Sequence, residues 1–265
     1  MKTFIPAPPF SAFHIGFLTI HLYSITLLIA TLICIYLTLK FTPYKKEFET
    51  LIPGLLLSCI LGARIYHVIT SLKLYLPNHL YDMLKIYKGG LSIWGAIFAS
   101  LLYLTYQSRK LKINIYFLLN PLLPAVALAQ GIGRFGNYFN QELYGSPTSL
   151  PWKLMVEPNY RPQTTPNQEF YHPTFLYEAI LVAVLSSVLY YLYLKTNLPI
   201  TIPSFVPLIY LLGYSSIRIF TEHLRTDYSP TLLGLRVNLF LAIILALLSL
   251  ILLLHGIRKS VRTCK

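Results

Sequence analysis

The sequence predicts an all-α polytopic membrane protein of about seven transmembrane helices, with a small extracytoplasmic cap between helices 4 and 5. Three observations predict it. Of 265 residues, 55% are apolar and only 12% charged, whereas soluble domains carry about 25% charged residues; the mean hydropathy is +0.59. Apolar runs recur near the length of about 20 residues that a hydrocarbon core requires. One connection, 137–172, breaks the pattern with Pro147, Pro151, Pro158, Pro162 and Pro166, too many for a helix interior. The whole chain, 1–265, is expected to form a single integral membrane domain.

Each expected helix follows from an apolar run bounded by charge, turn residues or proline. Helix 1 is expected over 15–39, a run too long for a signal-peptide core and lacking a small-residue cleavage site, so it reads as an anchor. Helices 2, 3 and 4 are expected over 51–71, 89–108 and 114–136. After the cap at 137–172, in which Trp152 to Val156 reads as one edge strand, helices 5, 6 and 7 are expected over 173–195, 203–222 and 231–256.

Lys and Arg collect in short cytoplasmic loops. Half of the 22 basic residues follow helices 1, 3, 5 and 7: Lys40, Lys45 and Lys46; Arg109, Lys110 and Lys112; Lys195; and Arg258, Lys259, Arg262 and Lys265. The expected topology therefore has the N-terminus outside and the C-terminus in the cytoplasm. Lys2 and Arg236 are among the bases assigned to the outer connections, and Arg64, Arg134 and Arg218 lie at membrane depth. The net charge of +13 reads as attraction to anionic lipid; without a basic soluble domain, nucleic-acid binding is not expected.

Cys34 and Cys59 fall inside expected helices as small hydrophobes, and Cys264 in the tail. Neither a disulfide framework nor histidine metal-ligand spacing is present, so no cofactor and no metal are expected.

Under this topology the polar residues form one layer in the outer leaflet. His21 and Tyr23 lie on helix 1, Arg64 and His67 on helix 2, Ser92 and Trp94 on helix 3, Arg134 and Asn137 on helix 4, His172, Tyr177 and Glu178 on helix 5, and Arg218 and Glu222 on helix 6. Arg218, Glu222 and Arg225, at i, i+4 and i+7, are expected on one helical stripe with Tyr214 a turn below. Arg64 either pairs with Glu178 or Glu222 or faces an anion. Three deep arginines exceed what two deep glutamates neutralise, which points to a bound phosphate held by guanidinium forks. His172 before Pro173 reads equally as a helix start or a catalytic group, and Tyr23 as an aromatic-belt residue or a substrate contact.

The segment Gly133 to Gly145, GRFGNYFNQELYG, resembles the GRxGNxxNxExxG signature of bacterial prolipoprotein diacylglyceryl transferases at every fixed position. IHLY (Ile20 to Tyr23), GAR (Gly62 to Arg64), GGLSI (Gly89 to Ile93), HPTFLYE (His172 to Glu178) and the Arg218, Glu222, Arg225 series follow the family's order from helix 1 through helix 6. The resemblance implies transfer of the diacylglyceryl group of phosphatidylglycerol to the lipobox cysteine of a preprolipoprotein signal peptide, in the outer leaflet of the bacterial cytoplasmic (inner) membrane, with release of glycerol phosphate. It implies Arg134, Asn137, Glu142, Gly145, Tyr23 and His172 as the catalytic set. Arg134, Arg218, Arg225, Glu222 and Arg64 are implied as the phosphatidylglycerol site.

Two positions depart from the family pattern. Trp94 stands where many members carry a histidine regarded as a possible base, and Asn120 where an aspartate is usual. Indole accepts no proton, which leaves Tyr23, Glu142, His172 or the positive field itself to deprotonate the thiol, or a weakened copy. An alternative from another class is a non-catalytic anionic-phospholipid-binding or lipid-translocating membrane protein.

Overall fold

The computed structural model describes residues 3–16, 18–76, 80–196, 202, 204–226, 231–232 and 234–263. Lys2, Cys264 and Lys265 lie outside the described residues. Among the described residues there are seven α-helices: α1 (Leu22–Phe41), α2 (Lys45–Thr70), α3 (Ile93–Leu111), α4 (Ile115–Phe139), α5 (Thr174–Lys195), α6 (Phe205–Leu224) and α7 (Val237–Thr263). Among them α1, α2, α4, α5 and α7 are long and apolar enough to cross a membrane. The chain is an integral membrane protein. Two of the expected spans, α3 and α6, fall short of that composition because α3 ends in Gln107, Arg109 and Lys110 and α6 carries Arg218 and Glu222.

Helix 1 begins later than expected. A hairpin of β1 (Ala12–Ile15) and β2 (Leu18–His21) takes the place of its first turns, pairing Ala12 with His21 and Ile15 with Leu18. Gly16, at φ +60°, supplies a left-handed turn that glycine adopts at no steric cost. His21 therefore lies in a strand. A second small hairpin, β5 (Thr231–Leu232) with β6 (Leu235–Arg236), likewise replaces the expected start of helix 7, with Gly234 at φ +79°.

The fold divides into two compact units, one built from 1–38 and 119–265 and the other from 39–118. In the larger unit, Ala127 of α4, Val182, Leu185 and Leu189 of α5, and Val206 of α6 form a buried core flanked by Tyr210 and Tyr214. Pro121 and Pro124 remove two N–H donors from α4; the Ser186 hydroxyl of α5 donates to the Pro124 carbonyl (2.7 Å) and ties the two helices together. The connection between α4 and α5 carries β3 (Leu154–Met155) paired antiparallel with β4 (Phe170–Tyr171). It has a core of its own, Leu154, Val156, Tyr171 and Phe175, in which the Tyr171 hydroxyl donates to the Thr165 carbonyl at 2.9 Å.

In the smaller unit α2 packs on α3 through Gly62 and Gly95. A Cβ at Gly62 would run into Ala99 and the Gly95 carbonyl, and one at Gly95 into the Gly62 carbonyl, so two small residues permit the close approach that stabilises helix pairs in lipid. Between these helices the chain makes short 3₁₀ turns at Leu72–Leu74, Leu80–Leu84 and Ile86–Lys88.

Candidate functional site

The larger unit concentrates charge in one alternating series. Arg134, in the last two turns of α4, donates to Glu178 Oε1 in the second turn of α5. Arg218 of α6 reaches Glu178 Oε2 at 3.3 Å and Glu222 Oε2, one turn further on, at 2.8 Å. Arg236 of β6 lies 3.3 Å from Glu222 Oε1. The two glutamates are 3% and 2% exposed, and arginines face both.

A second arm runs from Arg134 along its own segment. Arg134 lies 3.4 Å from Asn137 Oδ1, and the Asn137 amide donates to Glu142 Oε1 at 2.8 Å, joined by Asn140 at 3.3 Å. Glu142 is turned back towards α4 by backbone geometry: Gln141 and Leu143 on either side of it have φ of +49° and +56°. Left-handed backbone at non-glycine residues costs energy and persists where surrounding contacts impose it. Here the contacts are Gln141 Oε1, which accepts from the Glu157 amide at 2.9 Å, and the Leu143 carbonyl, which accepts from the Thr174 hydroxyl.

Tyr23 packs against α4 where Gly136 provides room; a Cβ there would lie 2.6 Å from the ring. Tyr214 brings its hydroxyl to 3.5 Å from Arg134 and stacks on Tyr210, which donates to Gln130 at 3.1 Å. Gly145 is a junction. Its N–H donates to the His172 carbonyl at 2.8 Å, its backbone bridges to Arg225, and a Cβ would meet both His172 and the Leu224 carbonyl at 2.8 Å. The close approach expected of Gly145 is thus made to the protein's own chain.

One placement differs from expectation. Arg225 is not on the helical stripe, because α6 ends at Leu224 and Arg225 is extended at ψ 141°, paired through its backbone with Gly145. His172 has its ring beside the Tyr177 hydroxyl (3.2 Å), which also accepts from the Trp152 indole at 2.8 Å; burial lowers its pKa below the usual histidine value, so its imidazole is neutral at neutral pH. Arg64 meets backbone carbonyls. Within the smaller unit its Nε donates to the Met83 carbonyl (2.8 Å), Nη1 to those of Gly89 and Gly90 (2.6 and 3.0 Å) and Nη2 to that of Asp82. Positive φ at Gly89 and Gly90 turns those carbonyls inward. These bonds clasp the 3₁₀ segment to α2. Trp94, 45% exposed at the start of α3, offers no proton acceptor.

Arg236 is the member of the series that sequence reasoning placed elsewhere, among outer-loop bases. No spacing relates it to Glu222, fourteen positions away across a turn; only the hairpin brings them together. Glu178 carried a partial signal as an acidic residue inside an apolar run.

Residues 10–255 match the family described as prolipoprotein diacylglyceryl transferase. A phosphatidylglycerol–prolipoprotein diacylglyceryl transferase of Prochlorococcus marinus (strain MIT 9215) is 32% identical over 86% of this chain and 82% of its own length. One of the same name from Bifidobacterium longum subsp. infantis is 35% identical over 94% of this chain and 84% of its own.

Proposed function

The chain belongs to the prolipoprotein diacylglyceryl transferase family, and we propose that its arginine and glutamate series is the seat of the phospholipid phosphate. The activity is transfer of the diacylglyceryl group from phosphatidylglycerol to a prolipoprotein cysteine thiol. The sulfur forms a bond to the glycerol carbon, the carbon–oxygen bond to phosphate breaks, and glycerol phosphate departs with the bonding pair. Three requirements follow: a thiolate, a stabilised leaving phosphate, and alignment of the two.

The observation that carries the reading is the convergence of Arg134 and Arg218 on one buried carboxylate, Glu178. A phosphodiester brings one negative charge and planar acceptor edges that guanidinium forks fit. Arg134 and Arg218 flank the same carboxylate, Glu178, which fixes both forks and leaves their outer N–H groups for the phosphate. As phosphate charge grows at bond breaking, these prepositioned donors stabilise it without reorganising. Asn137 and Glu142 hold Arg134 from the other side. Tyr23 lines the approach at Gly136, and Gly145 and Glu222 keep the surrounding chain in place.

Thiol deprotonation is assisted by the positive field of the series, which lowers the pKa of a nearby thiol. Glu142 and the neutral imidazole of His172 are the acceptors available to take the proton in the larger unit. The substrates are phosphatidylglycerol and a preprolipoprotein signal peptide with a lipobox cysteine. They meet in the outer leaflet of the bacterial inner membrane, with the N-terminus outside and the C-terminus in the cytoplasm, as the distribution of basic loops supports.

Incubation of the purified protein with phosphatidylglycerol and a lipobox peptide, read by mass spectrometry, tests the proposal. A diacylglyceryl thioether is expected from the native chain and none from Arg134→Ala. Lipid binding with no adduct would support a non-catalytic binder, and full turnover in Arg134→Ala would remove Arg134 from the site.

A further inference from the structure

The geometry points to His172 as a hydrogen-bond donor to the phospholipid headgroup, held in a single tautomer by Tyr177 and Trp152; the role rests on placing the phosphate at Arg134 and Arg218. His172 is pinned beside the signature segment by its backbone. Its N–H donates to the Ser146 carbonyl at 3.0 Å, and its carbonyl accepts from the Gly145 N–H at 2.8 Å. It stands six residues before Glu178, at the N-terminal mouth of α5.

Counting hydrogens decides the tautomer. An indole nitrogen only donates, so in the 2.8 Å contact between Trp152 Nε1 and the Tyr177 hydroxyl the oxygen accepts. The hydroxyl has one hydrogen of its own, and His172 Nδ1, at 3.2 Å, is the one further hydrogen-bond partner it has among the described residues. Donation to Nδ1 uses every hydrogen. The reverse arrangement, with Nδ1–H towards the hydroxyl, would set two donors on one oxygen and leave the phenolic hydrogen unused. With Nδ1 accepting, the neutral imidazole carries its hydrogen on Nε2, and that N–H has no partner among the described residues. Burial keeps the ring neutral and so preserves the arrangement.

The Nε2–H is thereby a fixed donor for an anionic oxygen. As sulfur bonds to the glycerol carbon and the carbon–oxygen bond breaks, the phosphodiester's single negative charge grows on the departing phosphate, and a donor set in advance stabilises that growth. The same tautomer closes His172 to the thiol proton, because Nε2 is already protonated and Nδ1 is taken. Of the two acceptors in the larger unit, Glu142 remains: Asn137 and Asn140 both donate to its Oε1, which leaves Oε2 for the proton. Tyr177 and Trp152 are positioning residues that act only through the ring.

Nuclear magnetic resonance of the full chain carrying nitrogen-15 histidine, in detergent micelles at about pH 8, well above the ordinary histidine pKa, reads the tautomer directly. The His172 signals are those missing from His172→Gln, and they are expected to show Nδ1 unprotonated and Nε2 protonated. Tyr177→Phe removes the donor, and Trp152→Phe frees the hydroxyl oxygen to accept. Each is expected to give a mixture of tautomers and to lower kcat, by about tenfold and about threefold respectively, with KM for phosphatidylglycerol within about threefold. His172→Gln keeps an N–H donor without basicity, whereas His172→Ala has neither. A donor role predicts a loss in kcat of about tenfold or less for the first and about a hundredfold for the second.

A native spectrum with Nδ1 protonated, a Tyr177→Phe spectrum identical to the native one, or equal losses in His172→Gln and His172→Ala would each overturn the assignment. Should Tyr177→Phe fail to fold, the native spectrum and the two His172 variants still decide it. Arg134→Gln, measured alongside, separates the two layers. If it keeps native turnover, the phosphate site is misplaced and the donor role falls with it; if it loses turnover while His172→Gln and His172→Ala behave alike, only the role of His172 falls.

Discussion

Replacing Glu178 by glutamine removes the one anion shared by Arg134 and Arg218 while keeping the side chain's shape. The carboxylate is 3% exposed and touches a guanidinium on each side, so the variant leaves two cations facing each other across an amide. At a separation of about 6 Å and an effective dielectric of about 20, their repulsion is about 3 kcal/mol, similar to the 3–5 kcal/mol by which removal of one partner from a buried pair destabilises a protein. A loss of about 3 kcal/mol corresponds to a fall in melting temperature of about 10 °C for a chain of this size. The site gains one positive charge, and a phosphate becomes the natural replacement for the missing carboxylate. Melting in detergent, followed by tryptophan fluorescence with phosphatidylglycerol or with phosphatidylcholine added, reads both effects. Glu178→Gln should melt lower than the native protein and should gain more from phosphatidylglycerol than the native protein does. An unchanged melting temperature, or equal stabilisation by the two lipids, would refute the reasoning that Glu178 neutralises a phosphate site.

Other variants probe the surroundings. Gly136→Val places a branched side chain where Tyr23 Cδ2 already lies 2.6 Å from a Cβ; displacement of the ring should lower kcat/KM by about tenfold or more, with the melting temperature measured in parallel. Gly145→Val drives atoms into the Leu224 carbonyl and His172 and should destabilise the α4–α5 connection by about 2 kcal/mol or more, read as faster proteolysis between α4 and α5. Trp94→Phe should leave turnover within about threefold, because an indole cannot serve as the base. His172 has a folded pKa below its unfolded value of about 6.5, so the unfolded state takes up its proton first as pH falls. Stability is therefore lost below about pH 6.5, and His172→Gln should melt with a shallower pH dependence between pH 7 and 5.

Much of this was legible because a membrane leaves few ways to satisfy a chain. Backbone groups in hydrocarbon must bond internally, so long apolar runs become helices, and α5, expected over 173–195, is found at Thr174–Lys195. The differences fall at run ends, where apolar residues also suit a strand: Leu18–His21 leads directly into the apolar helix, and Gly16 marks the turn before it. Tertiary pairing is harder to see. Arg64 and Arg134 look alike in sequence, each an arginine beside small residues near a helix end. One is enclosed by four carbonyls, the other faces a carboxylate 44 residues away.

By itself the sequence determined the membrane class, the seven helices, and the identity of Arg134, Asn137, Glu142, Arg218 and Glu222 as polar groups too costly to bury without partners. It did so because desolvation and helical periodicity are local properties of residue type and spacing. Which cation meets which anion was decided only by the tertiary structure. Coulombic pairing depends on distances of a few ångströms, and those are set by how α4, α5 and α6 pack and by a two-strand turn that carries Arg236 back to Glu222. In the sequence Arg64, Arg134 and Arg218 are alike as deep cations; the backbone at Gly89 and Gly90 supplies carbonyls to Arg64, whereas Arg134 and Arg218 meet the Glu178 carboxylate.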